Sequence, residues 1–358
     1  MDRLEKEIDN FRSALDWCVS EQNTESTLRL LGVLAWPWIV RDRIGETYSW
    51  FNKVCALPEV INYPALYARL LNYMGEQSWF LGDFRHAQSV LEESQAIWLK
   101  LGDDGERGLA EALVGLGEIA LFNGGAIETA QSFFERSFEL YQKHGDKWGM
   151  TWAMFELGNL AFVQGDYAQA EGQHLKSLSR FQELGDKFGV AYTLSGLGEL
   201  ARFAGDYERA GKFYEQMLEI YRELHGRFTP AWPLLGLAWA SLHRGDYGKA
   251  KALFEESLKL SIADSNKTLI TLCLAGFASV LGMTSKPELS ARLLGAVKFL
   301  LESIGRPADR KDFDHYVAHV HAQLDETAFA EAWADGRAMT LEQAVDYALR
   351  ELQSSLGG

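Results

Sequence analysis

The sequence predicts an all-α protein, an α-solenoid assembled from helical hairpins of about forty residues. Three observations predict it. The first is self-similarity: "MGEQSWFLGDFRHA" (74–87), "LGNLAFVQGDYAQA" (157–170), "LGELARFAGDYERA" (197–210) and "LAWASLHRGDYGKA" (237–250) are near-copies, and "LGEIALFNGGAIETA" (116–130) is a degraded one with an inserted residue. Their closing alanines stand at 87, 130, 170, 210 and 250, and a fixed spacing of this size marks stacked repeats. The second is that apolar residues inside each copy recur at helical spacing. The third is the Gly-Asp punctuation between the apolar runs, which turns the chain and leaves almost nothing for strands.

Taken in order, residues 1–60 read as N-terminal capping helices and a first divergent repeat. "LEKEIDNFRSALDWCVS" (4–20) is amphipathic, and "RLLGVLAWPWIVRDRIGET" (29–47) keeps phase, with Thr47 forty residues before Ala87. Pro37 falls inside its helix and is expected to kink it. Residues 61–265 form the regular array, for which 188–224 serves as the pattern. Leu194, Leu197, Gly198 and Ala201 share one face of its first helix. Gly205 closes that helix in the left-handed conformation, and Asp206 caps the next. Tyr207, Ala210, Tyr214 and Met217 are the stripe of the second helix. Gly198 and Ala210 are small where two helices approach within roughly 8–10 Å. Residues 266–358 hold a further divergent repeat, "LAGFASVLGMTSKPELSARLLGA" (274–296), and C-terminal capping helices. Neither helix of a pair can bury its stripe alone, so the unit makes sense only in a stack. Roughly eight pairs are expected.

The totals narrow the function. A formal charge of −15 argues against nucleic acid or an anionic membrane surface as the main partner. Three distant cysteines, Cys18, Cys55 and Cys273, suit a reducing compartment better than disulfides or zinc. There is no apolar run long enough for a membrane span and no signal-peptide core at the N-terminus, so a cytoplasmic location is expected. GxxxxGK[ST], HExxH and GxSxG are absent, and no enzyme and no cofactor are expected. "GDKWG" (145–149) and "GDKFG" (185–189) recur once per repeat and read as turns. His315 and His319 share a helix face near Asp312 and Asp314, but no second cluster completes a metal site; a solvated face is the better reading.

At this point the residues resemble a known family. The small residue of each first helix (Gly75, Gly117, Gly158, Gly198, Ala238), the Gly-x-Tyr/Phe turn and the alanine that follows are similar to the tetratricopeptide repeat, in a longer-helix variety. The match covers about residues 63–265. The ends, "LEKEIDNFRSALDWCVS" and "FAEAWADGRAMTLEQAVDYAL" (329–349), resemble segments that bracket the repeats of bacterial STAND-type signalling ATPases and of LuxR-type or maltose-activator-like transcription regulators. That resemblance implies a right-handed superhelix, with the first helix of each pair lining its concave side. It also implies a sensor arm joined to a nucleotide-binding module that this chain, lacking a phosphate loop, does not itself supply.

With that orientation, an inner stripe can be assigned. It comprises Arg69, Asn72, Glu76 and Trp79; then Glu111, Val114, Glu118 and Leu121; then Trp152, Phe155, Asn159 and Phe162. Next come Tyr192, Ser195, Glu199 and Arg202, then Trp232, Leu235, Trp239 and Leu242. The kinked first unit adds Arg29, Gly32, Trp36 and Ile39. Five of the eleven tryptophans fall on the stripe, so its aromatics are either core between pairs or platforms for a ligand. The candidate binding residues are Trp36, Arg69, Asn72, Glu76, Trp79, Glu118, Trp152, Phe155, Asn159, Tyr192, Glu199, Arg202, Trp232 and Trp239. Charges on the stripe nearly cancel. Such a wall suits a protein or peptide with apolar anchors, or a small neutral or zwitterionic ligand. The expected role is a ligand- or partner-sensing arm; a free-standing adaptor gripping a peptide or helix is the alternative.

Overall fold

The computed structural model describes residues 7–39, 44–57, 59–123, 126–224, 229–284, 286–303 and 310–354. Among them are eighteen α-helices and no strand. Two compact units divide the chain: Met1–Ala120 with Glu128–Ala153, and Leu121–Ile127 with Met154–Gly358. None of the described helices is long and apolar enough to cross a membrane.

The first unit opens with α1 (Ile8–Ser20), α2 (Thr24–Ile39) and α3 (Ile44–Cys55). Leu15, Leu31, Phe51 and Val54 form their common core with Leu71 of α4 (Pro64–Leu81). Helix α2 continues two residues beyond Pro37. Helix α5 (Phe84–Lys100) pairs with α4, and α6 (Glu106–Asn123) and α7 (Ile127–Lys143) follow. Helix α8 (Lys147–Val163) starts in this unit and ends in the second.

The second unit continues with α9 (Tyr167–Leu184), α10 (Lys187–Phe203), α11 (Tyr207–Glu223), α12 (Ala231–His243), α13 (Tyr247–Ala263), α14 (Lys267–Met283) and α15 (Pro287–Ser303). Helices α10 and α11, α12 and α13, and α14 and α15 are hairpins, each packed on the next. Three further helices close the chain: α16 (Arg310–His321), α17 (Glu326–Arg337) and α18 (Leu341–Ser354).

The turns are built as the sequence predicts. Gly82, Gly165, Gly205 and Gly245 have φ of 80°, 83°, 79° and 79°, the left-handed region that a Cβ penalises. The aspartate after each accepts the free backbone N–H three residues on, at 3.2, 3.0, 3.0 and 3.1 Å. "GDKWG" and "GDKFG" are turns of the same kind: Asp146 and Asp186 accept from Gly149 and Gly189. Where the sequence changes to Ser265-Asn266, Ser265 still takes a φ of 54° and Asn266 still caps, from Leu269, at 2.9 Å.

One side chain per hairpin acts as a knob, four residues after the closing alanine. In the first unit Leu91 fits against Gly75 and Gly115, and Phe134 against Gly117. In the second, His174 lies between Gly158 and Gly196, Tyr214 between Gly198 and Gly236, and Phe254 against Gly276. A Cβ on any of these glycines but Gly196 would overlap the knob, and at Gly196 it would press on the His174 ring at 3.0 Å. Each fully buried phenylalanine knob contributes about 1.5–3 kcal/mol over an exposed one. Three residues beyond the knob, Ser94, Ser137 and Ser257 donate from the second helix of a pair to the first, to the carbonyls of Ala68, Ala110 and Ala231, at 2.8, 2.9 and 2.7 Å.

The C-terminal end is fastened by backbone contact. Helix α17 crosses α15 where Gly295 meets the Trp333 carbonyl and Gly336 meets the Arg292 carbonyl, leaving no room for a Cβ at either. Helix α18 packs on α14 and α15. Cys18 and Cys273 are buried free thiols and Cys55 is half-buried.

Candidate functional site: the inner stripe

In the first unit the stripe is continuous from one helix to the next. Asn72 of α4 is buried; its amide donates to the Gly108 carbonyl at 3.0 Å and to the Glu111 carboxylate of α6 at 3.3 Å. Ser94 holds the other side of that amide at 2.6 Å. Glu76, one turn along α4, is half-buried, and desolvation followed by repulsion from Glu111 pushes its pKa up to about 8. Glu111 keeps solvent access, yet enough protein surrounds it that desolvation is the largest influence and raises its pKa; Asn72 and Arg69 oppose this. Two neighbouring carboxyls cannot both ionise cheaply. Arg69 is exposed, and Trp79 and Glu118 are half-buried, with Trp79 packed beside Leu91 and Leu116. Trp152 is half-buried and edge-on to Trp148, whose ring is exposed, with the ring centroids 5.9 Å apart. Trp36 lies on α2, and its side chain is outside the described residues.

In the second unit the aromatics divide between core and surface. Phe155 is buried, 4.8 Å from the His174 ring and 5.5 Å from Tyr192, and so packs as core. Tyr192 is half-buried beside Phe188. Asn159 donates to the buried Glu156 at 3.0 Å. Leu235 and Leu242 are buried, and the half-buried Trp232 and Trp239 pack against the same core.

The far end of α10 carries a polar chain of contacts. The Tyr214 hydroxyl donates to Glu199; Glu199 pairs with Arg202 at 2.8 Å; Arg202 pairs with Asp312 of α16. Asp312 also meets His243 at 3.3 Å, and His243 stacks flat on Tyr207 with centroids 4.5 Å apart. Burial alone would raise the Asp312 pKa, but the His243 hydrogen bond and the Arg202 charge outweigh it and lower it. Tyr316, one turn along α16, lies 6.1 Å from both Trp239 and His243. Arg202 is therefore covered rather than open, with 8% of its side chain exposed.

Glu76, Glu118 and Glu199, which share one position of the repeat, have different surroundings. Glu76 is coupled to Glu111, whereas Glu199 is committed to Arg202 and Tyr214. His315 is exposed on α16, with its ring edge-on to Tyr316. Among the described residues no three His, Cys, Asp or Glu groups gather as a metal site.

The family profile for the tetratricopeptide repeat matches residues 149–223 and 189–263, the hairpins whose knobs and caps are described above. These residues are tetratricopeptide repeats. No curated protein matches the sequence. Among solved structures, a Rap protein complexed with competence and sporulation factor is 15% identical, with a TM-score of 0.66 over 96% of this chain and 99% of that one. The Rap conjugation gene regulator of the plasmid pLS20, in complex with the Phr* peptide, is 11% identical, with a TM-score of 0.53 over 87% and 98%. A signal transduction ATPase with numerous domains from Pyrococcus horikoshii, which has a tetratricopeptide repeat sensor, is 16% identical with a TM-score of 0.50. The match covers 99% of this chain and 55% of that protein, so the chain spans about half its length. At these identities the likeness is one of fold.

Three features are not evident from the sequence pattern as read above. The knob column could have been found by aligning the copies at their alanines, which places a histidine where the others carry Leu, Phe, Tyr and Phe. Gly115, Gly196, Gly236 and Gly276 form a second glycine column that faces the same knobs. The association of Asp312 with Arg202 and His243 left no periodic signal.

Proposed function

We propose that the chain is a non-catalytic binding scaffold, the ligand- or partner-sensing arm of a larger signalling ATPase or transcription regulator, which binds along its inner stripe. The organisation proposed is a cap through residue 60, a regular array over 61–265 and a C-terminal cap beyond. The observation that carries the reading is the continuity of the stripe across neighbouring helices, with Asn72 reaching Glu111 and Phe155 reaching Tyr192.

The chemistry of the first unit suits a ligand with a cationic group beside an apolar one. With its pKa near 8, Glu76 holds a proton at neutral pH. An ammonium or guanidinium placed against Glu76 and Glu111 favours their charged forms and expels that proton. Trp148 and Trp152 offer the apolar surface. A Rap protein complexed with competence and sporulation factor and a Rap regulator in complex with the Phr* peptide support a peptide as the class of ligand; a small zwitterion is the other class that the stripe's balanced charges suit.

Tryptophan fluorescence titrated with a panel of peptides and zwitterionic metabolites tests this. The expected result is a saturable response that Trp152→Ala or Glu76→Gln reduces at least tenfold in affinity, with proton release in weakly buffered solution. A response that neither substitution changes overturns the stripe as the binding surface. The linkage to an ATPase is tested by the reading frame: a nucleotide-binding module encoded with this segment supports the sensor arm. A frame without one supports the free-standing adaptor, the second reading.

A further inference from the structure

Helix α16 occupies stripe residues that the repeat pattern assigns to a ligand. It runs across the C-terminal ends of three successive first helices: Val320 beside Gly282 of α14, Tyr316 beside Trp239 and His243 of α12, and Asp312 on Arg202 of α10. Two of the residues it covers, Arg202 and Trp239, belong to the stripe proposed to bind. We infer that α16 is a displaceable occupant. Arg202, His243 and Trp239 form an acceptor for a helical segment carrying a carboxylate and, one turn later, an aromatic ring; α16 fills it in cis, and a partner segment of the same chemistry exchanges with it.

Three features separate this contact from an ordinary cap. First, the C-terminal end has a fastening of its own besides α16. Helix α17 is fastened to α15 by backbone contacts at Gly295 and Gly336, whereas α16 meets α10 and α12 through the side chains of Asp312 and Tyr316. Second, Arg202 has a carboxylate of its own. When Asp312 leaves, the Arg202–Glu199 pair remains and Glu199 keeps the Tyr214 hydroxyl, so release strands no buried unpaired charge. Third, Phe313, Tyr316 and Val320 are buried while Asp314, His315 and Ala318 face solvent. Uncompensated opening would expose those apolar side chains to water. Exchange for an equivalent segment avoids this, which is why the acceptor selects a partner that brings both a charge and a ring.

The inference rests on the sensor reading, but its test needs no knowledge of the natural ligand. Hydrogen exchange is followed by mass spectrometry on the full chain and on Asp312→Asn, which keeps the side-chain shape and loses the charge. The probe is a synthetic peptide copying residues 310–321, "RKDFDHYVAHVH". Exchange in 312–321 is expected to rise at least tenfold in the variant, with α14, α15 and α17 unchanged. The probe is expected to bind the variant at least tenfold more tightly than the parent, and probes altered at the positions of Asp312 or Tyr316 are expected to lose that binding. Unchanged protection of α16, loss shared by α14 and α15, or a probe that does not distinguish variant from parent would each overturn the inference. All of these can occur while the first unit still binds its ligand, so the two readings fail separately.

Discussion

At the scale of single residues, the fold depends on a few columns where one side chain has no freedom. Ala210 is fully buried where α11 meets its neighbours, in the same core as Ala201, Tyr214 and Leu218. Ala210→Leu adds three carbons to a space already filled, and is expected to destabilise the protein by about 1–3 kcal/mol through overpacking. A thermal melt superimposable on the parent's would refute this. His174 is the exception among the knobs. It is buried, its Nδ1 has no hydrogen-bond partner, and desolvation lowers its pKa to about 4. The buried hydroxyl of Ser177, one turn along, likewise has no hydrogen-bond partner, where the equivalent Ser94, Ser137 and Ser257 each reach a carbonyl. The polar knob thus coincides with a missing inter-helix bond.

At the scale of elements, the glycines divide into two classes with opposite expected effects. Gly211 lies inside α11 with open space where a Cβ would point, so Gly211→Ala is expected to stabilise by about 0.5–1 kcal/mol, through helix propensity. Gly336 faces the Arg292 carbonyl, which cannot yield as a side chain can, and Gly336→Ala is expected to loosen α17 from α15 and lower the melting temperature. Urea denaturation of both variants checks the pair; a shift of the same sign in both refutes the distinction. The difference also shows what was legible in the sequence. Asp206 and Gly205 act on backbone within a few residues, so cap and turn could be read directly. The repeat period then placed each hairpin beside the next. Helix α16 lacks that advantage: Asp312 is separated from Arg202 by 110 residues, and no copy of the contact occurs elsewhere to give it a period. The histidines of α16 drew attention as ligands, while the neighbouring aspartate makes the contact that matters.

At the scale of the whole molecule, stability should depend on pH through two groups of opposite sign. Unfolded, His174 has an ordinary pKa near 6.5; folded, it is near 4. Between these values the unfolded chain binds more protons, so this contribution is lost as pH falls from about 6.5 to 4. Glu76 runs the other way: its folded pKa near 8 lies above the ordinary 4.5, the native state binds more protons in between, and stability falls as pH rises across that window. In denaturant titrations, parent minus His174→Phe should change below pH 6.5, and parent minus Glu76→Gln between 4.5 and 8. The Glu76 curve also contains the relief of Glu111, because the pair titrates together. A flat difference for either variant removes that group from the account.

The even spacing of Ala130, Ala170, Ala210 and Ala250 carries a consequence for the length of the chain. Excising 171–210 would bring Tyr214 into the slot that His174 fills, so the scaffold could be shortened or lengthened in quanta of one hairpin without new joints. Such editing would not spare the clasp at the C-terminal end. Arg202, His243 and Asp312 belong to particular copies, so a chain trimmed by one hairpin would keep its architecture and lose the fit between that clasp and its seat. Growth by duplication and control by α16 therefore constrain each other.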